Sequence, residues 1–345
     1  MKALVKTAKG PGHMALRDIE EPRTGPGQVK VRVVRAGICG TDVHIAAGDF
    51  FHYFPPVALG HEFAGVVAEV GEGVEGISAG DRVTAEPTKS TCGECPHCLE
   101  DAYNRCERRE IAGLVSHGAF TDYLVTRAAS IHKLPENVSF KAAALSEPLA
   151  VCVHGMTEQC TLARVETVLV AGPGPIGLCC AQVAVASGCR VIVAGTSRDA
   201  HRLALAGRLG AARTVNVEAE DLGKAVGGLT GGWGVDMAVD AVGAAAASRA
   251  CLEGVRKGGQ LLQVGLPGEP VAVNLTLLAW KEVRLTGTFG QKFSAWQKTL
   301  RLMEEGKVDM EAIVSDTLPL EDWETGFKRM ERGEGLKILF ELGRV

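Results

Sequence analysis

Apolar and polar residues alternate in short runs through the first part of the chain, and glycine and proline break the runs. The alternation over Gln28–Ile38, Phe63–Val70, Asp81–Ala85 and Tyr123–Thr126 predicts half-buried strands, with turns at Gly10-Pro11-Gly12 and Thr24-Gly25-Pro26-Gly27. These elements predict a β-rich, barrel-like domain. After Glu147-Pro148 the pattern changes. Apolar runs at Thr167–Gly172, Arg190–Gly195, Thr214–Val217, Val235–Gly243, Gly259–Gly265 and Val283–Phe289 now alternate with stretches rich in Ala, Leu, Arg and Lys at Pro175–Ser187, Asp199–Leu209, Glu220–Leu229 and Ala244–Arg256. Strands separated by helices in this way predict an α/β architecture with a doubly wound, six-stranded parallel sheet. The remaining residues predict helices at Ala295–Glu305 and Asp322–Arg332 and a strand at Leu336–Leu342. This tail is expected to return to the first domain and make it discontinuous, with an active site in the cleft between the two domains.

A chain of 345 residues, 46% of them hydrophobic, is long enough for two cores. Its formal charge of -4, with both signs interspersed, leaves no basic footprint for nucleic acid, so small-molecule partners are expected. No apolar run reaches the ~18 residues of a membrane-spanning helix. The N-terminus reads as an amphipathic strand, not a signal peptide, which predicts a cytoplasmic protein. Of the eleven cysteines, four are tightly clustered, which favours metal binding over disulfides. Cys152, Cys160, Cys179, Cys180, Cys189 and Cys251 lie in apolar or small-residue runs and are expected to be buried reduced thiols.

Gly172-Pro173-Gly174-Pro175-Ile176-Gly177 fits the G-x-G-x-x-G fingerprint between a predicted strand and a predicted helix. Gly172, Gly174 and Gly177 allow a tight turn, close approach to a pyrophosphate and close helix packing, and the helix beginning at Pro175 and Ile176 offers its N-terminus to the phosphates. The second strand ends at Ala194-Gly195-Thr196-Ser197-Arg198-Asp199. Its tip carries no carboxylate for a ribose 2′-hydroxyl but offers Ser197 and Arg198 to a 2′-phosphate, which favours NADP over NAD. Asp199 competes with that reading through its spacing, and its position before Ala200-His201-Arg202-Leu203 also suits a helix N-cap.

Cys92, Cys95, Cys98 and Cys106 form a C-x2-C-x2-C-x7-C run, so four thiolates surround one Zn²⁺ in a closed, structural site spanning residues 90–108 or so. An iron–sulfur cluster is the alternative, and the last gap does not match the ferredoxin run. Cys39, His61 and Glu62 supply a thiolate, an imidazole and a carboxylate, and three protein ligands leave a position open for water or substrate. Glu147, a carboxylate inside the apolar Ala142–Val153 run, needs a partner and adds weight to that site.

Cys39-Gly40-Thr41-Asp42-Val43-His44, Gly60-His61-Glu62-Phe63-Ala64-Gly65, the cysteine lobe, Glu147-Pro148-Leu149-Ala150-Val151 and the Gly172–Gly177 turn follow one another in an order that resembles the zinc-dependent medium-chain dehydrogenases, closest to the sorbitol (polyol) and threonine dehydrogenase branch. The resemblance covers nearly the whole chain. It implies a GroES-like catalytic domain over residues 1–151 and 290–345 and a Rossmann cofactor domain over 152–289. It further implies one catalytic zinc on Cys39, His61 and Glu62 with Glu147 able to enter the shell, and one structural zinc. Thr41 and His44 match proton-relay positions, and Arg202, Val264, Gly265, Leu266, Thr288 and Phe289 match positions lining the cofactor site. The implied reaction is hydride transfer between a secondary alcohol and NADP or NAD, in a homotetramer.

Gly290 stands where sorbitol dehydrogenases carry an arginine that meets polyol hydroxyls, and Gly290-Gln291-Lys292-Phe293 is more similar to the threonine dehydrogenases. The substrate is therefore expected to be a polyol, sugar alcohol or hydroxy amino acid, with L-threonine 3-dehydrogenase-like activity on NAD as the alternative. The Phe50–Phe54 aromatic run suits a pocket wall, core packing or a subunit contact. A zinc-free quinone reductase needs neither metal set. A non-catalytic dinucleotide-binding structural protein is the rival of another class, and bound zinc discriminates against both.

Overall fold

The computed structural model describes residues 1–343, so positions 344 and 345 of the expected C-terminal segment lie outside the described residues. The chain forms two compact units. The first comprises Met1–Glu147, Lys292–Glu304 and the stretch from Met310 onward; the second comprises Pro148–Gln291 and Glu305–Asp309.

The first unit is built on a seven-stranded sheet ordered Ile131–Lys133, Arg82–Ala85, Glu62–Val70, Gln28–Gly37, Lys337–Glu341 and Val314–Pro319, with Tyr123–Arg127 also paired to Gln28–Gly37. The central strand shows why alternation was legible: Val29, Val31 and Val33 are fully buried, and the residues between them only partly. A second sheet joins Met14–Asp18, Lys2–Lys6 and Val57–Ala58. The core between them includes Leu4, Ile38, Phe63, Phe120 and Phe340, with the Phe120 and Phe340 rings edge to face at 5.0 Å.

Register in this sheet fixes the chemistry. Gly37 lies opposite Glu62 on one side and Leu339 on the other, and Ile38 donates its N–H to Ile338 at 3.0 Å. A Cβ at Gly37 would lie 2.5 Å from the Glu62 carboxylate, so only glycine lets that side chain pass.

The second unit holds six parallel strands in the order Arg213–Asn216, Arg190–Gly195, Thr167–Ala171, Val235–Asp240, Val255–Gln263 and Arg284–Gly287. This is the doubly wound order, with the chain reversing direction beside Thr167–Ala171. That strand is buried along its whole length, which is why it reads as a continuous apolar run.

Three local expectations are corrected. The helix expected at Ala244–Arg256 is Ala245–Gly254, and the strand expected from Gly259 starts at Val255. Lys281 supplies the reason: its ammonium takes the carbonyl oxygens of Leu252, Glu253 and Val255 at 3.1, 2.7 and 2.8 Å, closing the helix one residue before the strand. Cys160 is only half-buried, whereas Cys152, Cys179, Cys180, Cys189 and Cys251 are core. Helices at Gly40–Ala47 and Leu275–Lys281 were not expected; the first is too short for a periodic signal and the second lacks a buried face. Among the described residues no helix is long and apolar enough to cross a membrane.

Candidate functional site

Cys39 lies in extended conformation at the N-cap of the Gly40–Ala47 helix. Its backbone N–H donates to Asp42 Oδ2 at 2.9 Å, and Asp42 Oδ1 accepts from the Gly60 N–H at 3.3 Å while lying 3.7 Å from His61 Nδ1. One fully buried carboxylate thus ties together the segments bearing Cys39 and His61. The thiolate, imidazole and carboxylate of Cys39, His61 and Glu62 offer ligand atoms that all lie within 4.8 Å of one another.

The donors fit a metal dication. His61 Nδ1 is buried and has no hydrogen-bond partner among the described residues. Burial disfavours a charged His61, yet the negative groups of Asp42 and Cys39 outweigh it and hold the imidazole pKa well above its ordinary value. Surroundings that favour a proton on His61 favour a dication in its place. Glu62 is fully buried, and the ammonium of Lys337 reaches both of its oxygens, at 2.6 Å from Oε2, and also the Ile38 carbonyl at 3.3 Å. Burial opposes the charge on Lys337, but Glu62 and Cys39 outweigh it and raise its pKa. Glu147 is not among the three clustered donors, although its charge acts on both His61 and Lys337.

Thr41 and His44 lie on the Gly40–Ala47 helix, with His44 exposed and its Nδ1 at 3.1 Å from Asp49 Oδ1. The Phe50–Phe54 run splits: Tyr53 is buried and its hydroxyl accepts from the Gly10 N–H, while Phe51 and Phe54 are exposed.

In the lobe, Cys92, Cys95, Cys98 and Cys106 also lie within 4.8 Å of one another. The sulfur separations are 3.8 Å for Cys92–Cys98, 3.5 Å for Cys95–Cys98 and 3.6 Å for Cys92–Cys106. A tetrahedron with Zn–S bonds of about 2.3 Å has edges of about 3.8 Å, so the set fits zinc. The backbone N–H groups of Glu94 and Cys95 lower the Cys92 pKa to about 6, favouring the ligating thiolate.

In the second unit the Thr167–Ala171 strand turns through Gly172, at φ 95°, into the helix Pro175–Ala186 with Gly174 as N-cap and Pro175 and Ile176 opening its first turn. A Cβ at Gly177 would lie 1.8 Å from the Gly172 oxygen, whereas one at Gly174 would meet nothing within 4 Å. Gly177 therefore serves helix packing, and Gly174 borders open space at a helix N-terminus, a fit to a pyrophosphate. Val264 and Gly265 donate their N–H groups to the Asp240 carbonyl at 3.0 and 2.9 Å. Leu266 and Phe289 are exposed, and the Thr288 hydroxyl is buried without a hydrogen-bond partner among the described residues.

At the second-strand tip, the N-cap expectation for Asp199 is corrected. Its side chain does not cap the Ala200–Arg208 helix but turns back, its Oδ2 accepting from the Thr196 N–H at 3.1 Å and hydroxyl at 2.9 Å. The chain makes a short 3-10 turn at Ser197–Asp199 first, so Thr196 is the cap. Arg202 lies 3.4 Å from Asp199 Oδ1. The Ser197 N–H donates to Glu218 Oε2 at 3.0 Å and the Ser197 hydroxyl accepts from Asn216 at 3.0 Å, while Arg198 is exposed.

Sequence reasoning missed Asp42, Lys337, Asp240 and Glu218. Asp42 was foreshadowed by its capping distance from Cys39, and Lys337 by a charge directly before the apolar run Ile338-Leu339-Phe340. Asp240 ends its strand by accepting the N–H groups of Val242 and Gly243 and the Ser248 hydroxyl at 2.9, 2.8 and 2.6 Å. Glu218 carried no signal, because it acts across strands.

The chain matches the alcohol dehydrogenase GroES-like domain over residues 25–136 and the zinc-binding dehydrogenase domain over residues 175–305. It is 40% identical over 342 residues to the D-arabitol-phosphate dehydrogenase of Enterococcus avium, covering 99% of this chain and 97% of that protein. It is 37% identical over 344 residues to an L-threonine 3-dehydrogenase of Bacillus velezensis, covering 98% of each. Among solved structures it is similar to a zinc-binding dehydrogenase from Sinorhizobium meliloti 1021 bound to NADP, with a TM-score of 0.90 and 29% identity over 99% of this chain and 98% of that one. The chain therefore belongs to the zinc-dependent medium-chain dehydrogenases, oxidoreductases that exchange hydride between a secondary alcohol and a nicotinamide cofactor.

Proposed function

We propose that Cys39, His61 and Glu62 hold the catalytic zinc, with Glu147 adjusting its shell, that Cys92, Cys95, Cys98 and Cys106 hold a structural zinc, and that the substrate is a polyol, sugar alcohol or hydroxy amino acid. The observation that carries this reading is a trio of unlike donors within 4.8 Å, His61 and Glu62 buried and Cys39 half-buried, with His61 Nδ1 unpartnered among the described residues. When bound, zinc supplies a Lewis acid toward an alcohol oxygen and the nicotinamide supplies the hydride acceptor. The chain's own residues do the rest. Asp42 fixes the Cys39 and His61 segments, and Lys337 orients and neutralises Glu62. Thr41 would relay the alcohol proton, its hydroxyl oxygen accepting it as its own proton leaves toward His44, which is exposed, lies beside Asp49 and would release it to solvent.

For the cofactor, Gly172, Gly174 and Gly177 with the first turn at Pro175 and Ile176 take the pyrophosphate, and Val264, Gly265, Leu266, Thr288 and Phe289 border the nicotinamide half. NADP is favoured because Ser197, Arg198 and Arg202 stand at the second-strand tip while Asp199 is engaged with Thr196. A 2′-phosphate must displace Glu218 from the Ser197 N–H, so NAD is used as well. The arabitol-phosphate relative supports a polyol substrate; Gly290, in place of the polyol-binding arginine, supports a second reading as a threonine 3-dehydrogenase with NAD. Eleven free cysteines support a reducing, cytoplasmic setting. Exposed Leu275 and Trp280 on the Leu275–Lys281 helix and exposed Leu285 on the edge strand Arg284–Gly287 support a homotetramer paired through the cofactor domain.

The test is a panel of polyols, 3-hydroxy amino acids and simple secondary alcohols with both cofactors, together with metal analysis. Two zincs per chain are expected, falling to one in Cys39→Ser with the fold retained and activity lost. Activity surviving in Cys39→Ser without that metal would sink the assignment.

A further inference from the structure

The tip of the Arg190–Gly195 strand already carries an anion of the chain's own. The neighbouring strand Arg213–Asn216 runs parallel to it, and pairing continues past their ends, where the Val217 N–H donates to the Gly195 carbonyl at 2.9 Å. That register brings Glu218 to Ser197. Glu218 Oε2 accepts from the Ser197 N–H at 3.0 Å, and Asn216 braces the pair, its Nδ2 donating to Ser197 Oγ at 3.0 Å and its Oδ1 accepting from the Glu218 N–H at 3.1 Å. Hydrogen bonds from Ser197, helped by the charge of Arg198, hold the Glu218 carboxyl below its ordinary range, so it is ionised near neutral pH. Ser197, Arg198 and Glu218 are all exposed, which leaves them open to a ligand from solvent. Asp199, the other acid of this tip, is turned inward: its Oδ2 accepts from the Thr196 N–H and hydroxyl, and its Oδ1 lies 3.4 Å from Arg202. The carboxylate that a second strand ordinarily offers to a ribose 2′-hydroxyl is thus engaged within the turn, and the acid on Ser197 comes from the adjacent strand.

We propose that Glu218 is the residue that sets the balance between NAD and NADP, a resident anion that a 2′-phosphate must expel and a 2′-hydroxyl need not. The inference deepens the cofactor reading and rests on the pyrophosphate cradle assigned to Gly172, Gly174 and Gly177. A hydroxyl is a donor, so NAD is compatible with the Glu218 carboxylate where it stands. A phosphate is an acceptor carrying negative charge: it competes with Glu218 for the Ser197 N–H and for Arg198, and the carboxylate repels it. Ser197 and Arg198 therefore draw in NADP while Glu218 opposes it, and one carboxylate decides how far the two cofactors differ.

The experiment uses the full chain and its Glu218→Gln, Glu218→Ala and Arg198→Ala variants. Dissociation constants are measured for NADPH and NADH by fluorescence titration, and for adenosine 2′,5′-bisphosphate and AMP by calorimetry, at low and at high salt. Each pair of probes differs only by the 2′-phosphate. Glu218→Gln should tighten NADPH and the bisphosphate about tenfold, the low end for removing a like charge from a surface site, while NADH and AMP bind no tighter than to the wild type. Arg198→Ala should act in the opposite direction and weaken the phosphorylated member of each pair. The gain in Glu218→Gln should shrink at high salt, because screening weakens the repulsion that the substitution removes. Should Glu218→Ala fail to fold, Glu218→Gln decides, since it keeps the shape of the side chain and an oxygen for the Ser197 N–H. With all four probes binding, an unchanged NADPH to NADH ratio in the Glu218 variants, or a gain shared equally by both members of a pair, would overturn the proposal and leave the cradle standing. Failure of every probe to bind the wild type would remove the cradle and the proposal together.

Discussion

Replacing Lys337 by methionine removes a buried charge while keeping most of the side-chain volume. Lys337 is 3% exposed and Glu62 fully buried, and the ammonium meets both carboxylate oxygens. Without it the metal-free protein must hold an unpaired carboxylate in its interior, a loss of about 3–5 kcal/mol for breaking one side of a buried pair. A bound dication supplies positive charge to the same carboxylate, so the zinc-loaded variant should lose much less. At about 2–4 °C per kcal/mol for a unit of this size, the metal-free Lys337→Met protein should melt roughly 6–20 °C below the metal-free wild type. The gap should shrink by at least half when both are zinc-loaded. Scanning calorimetry on chelator-treated and zinc-reconstituted samples, with zinc quantified in each, measures both gaps. Equal gaps with and without zinc would refute the reasoning, because they would mean that Lys337 contributes packing alone.

The two turn glycines should separate when each is replaced by alanine. Gly177→Ala drives a methyl into the Gly172 oxygen and should lower stability by several °C, whereas Gly174→Ala faces open space and should melt like the wild type yet bind NADPH at least tenfold more weakly by fluorescence titration. Gly174→Ala binding with wild-type affinity would exclude that cradle. Asp236 gives an acid-sensitive anchor: its Oδ2 accepts from the N–H groups of Glu166 and Thr167 at 3.0 and 2.9 Å, and its Oδ1 accepts from Arg256 Nε at 2.7 Å. Burial opposes its ionisation, but Arg256, Thr167 and the backbone N–H groups outweigh it and depress the pKa below 3.8. That contribution is present above the unfolded carboxylate value and is lost as pH falls through the folded one. Asp236→Asn should therefore weaken the second unit by about 2 kcal/mol near neutral pH and narrow the gap to wild type below roughly pH 4, as read by urea unfolding; a gap independent of pH would contradict it.

What the sequence disclosed about this molecule followed the range of the interactions. Thr167–Ala171 and Arg190–Gly195 were legible because strands buried on both faces must be apolar throughout. Val255 and Arg256 read as the end of a helix, and the strand was expected only from Gly259, because Arg256-Lys257 is polar and the strand pairing depends on Val235 and on Lys281, both distant in sequence. Metal donors were visible as residue types at short spacings, Cys92 to Cys106 above all. Their supporting groups were not, since nothing near Glu62 in sequence announces Lys337, and nothing near Ser197 announces Glu218. Asp199 shows the limit of local reasoning in the other direction. A carboxylate before a helix is a good cap candidate, but a 3-10 turn moved the cap to Thr196.

The pairing of Lys337 with Glu62 also sets an order of assembly. The two residues are 275 positions apart, and the continuous segment Pro148–Gln291 lies between them. At a synthesis rate of about 5–20 residues per second, the ribosome needs roughly 14–55 s to go from one to the other. During that interval the nascent chain already carries Cys39, His61 and Glu62 but lacks the cation that neutralises Glu62. A zinc ion captured early would stand in for Lys337, and the last strand would then close over a site whose charge is already balanced.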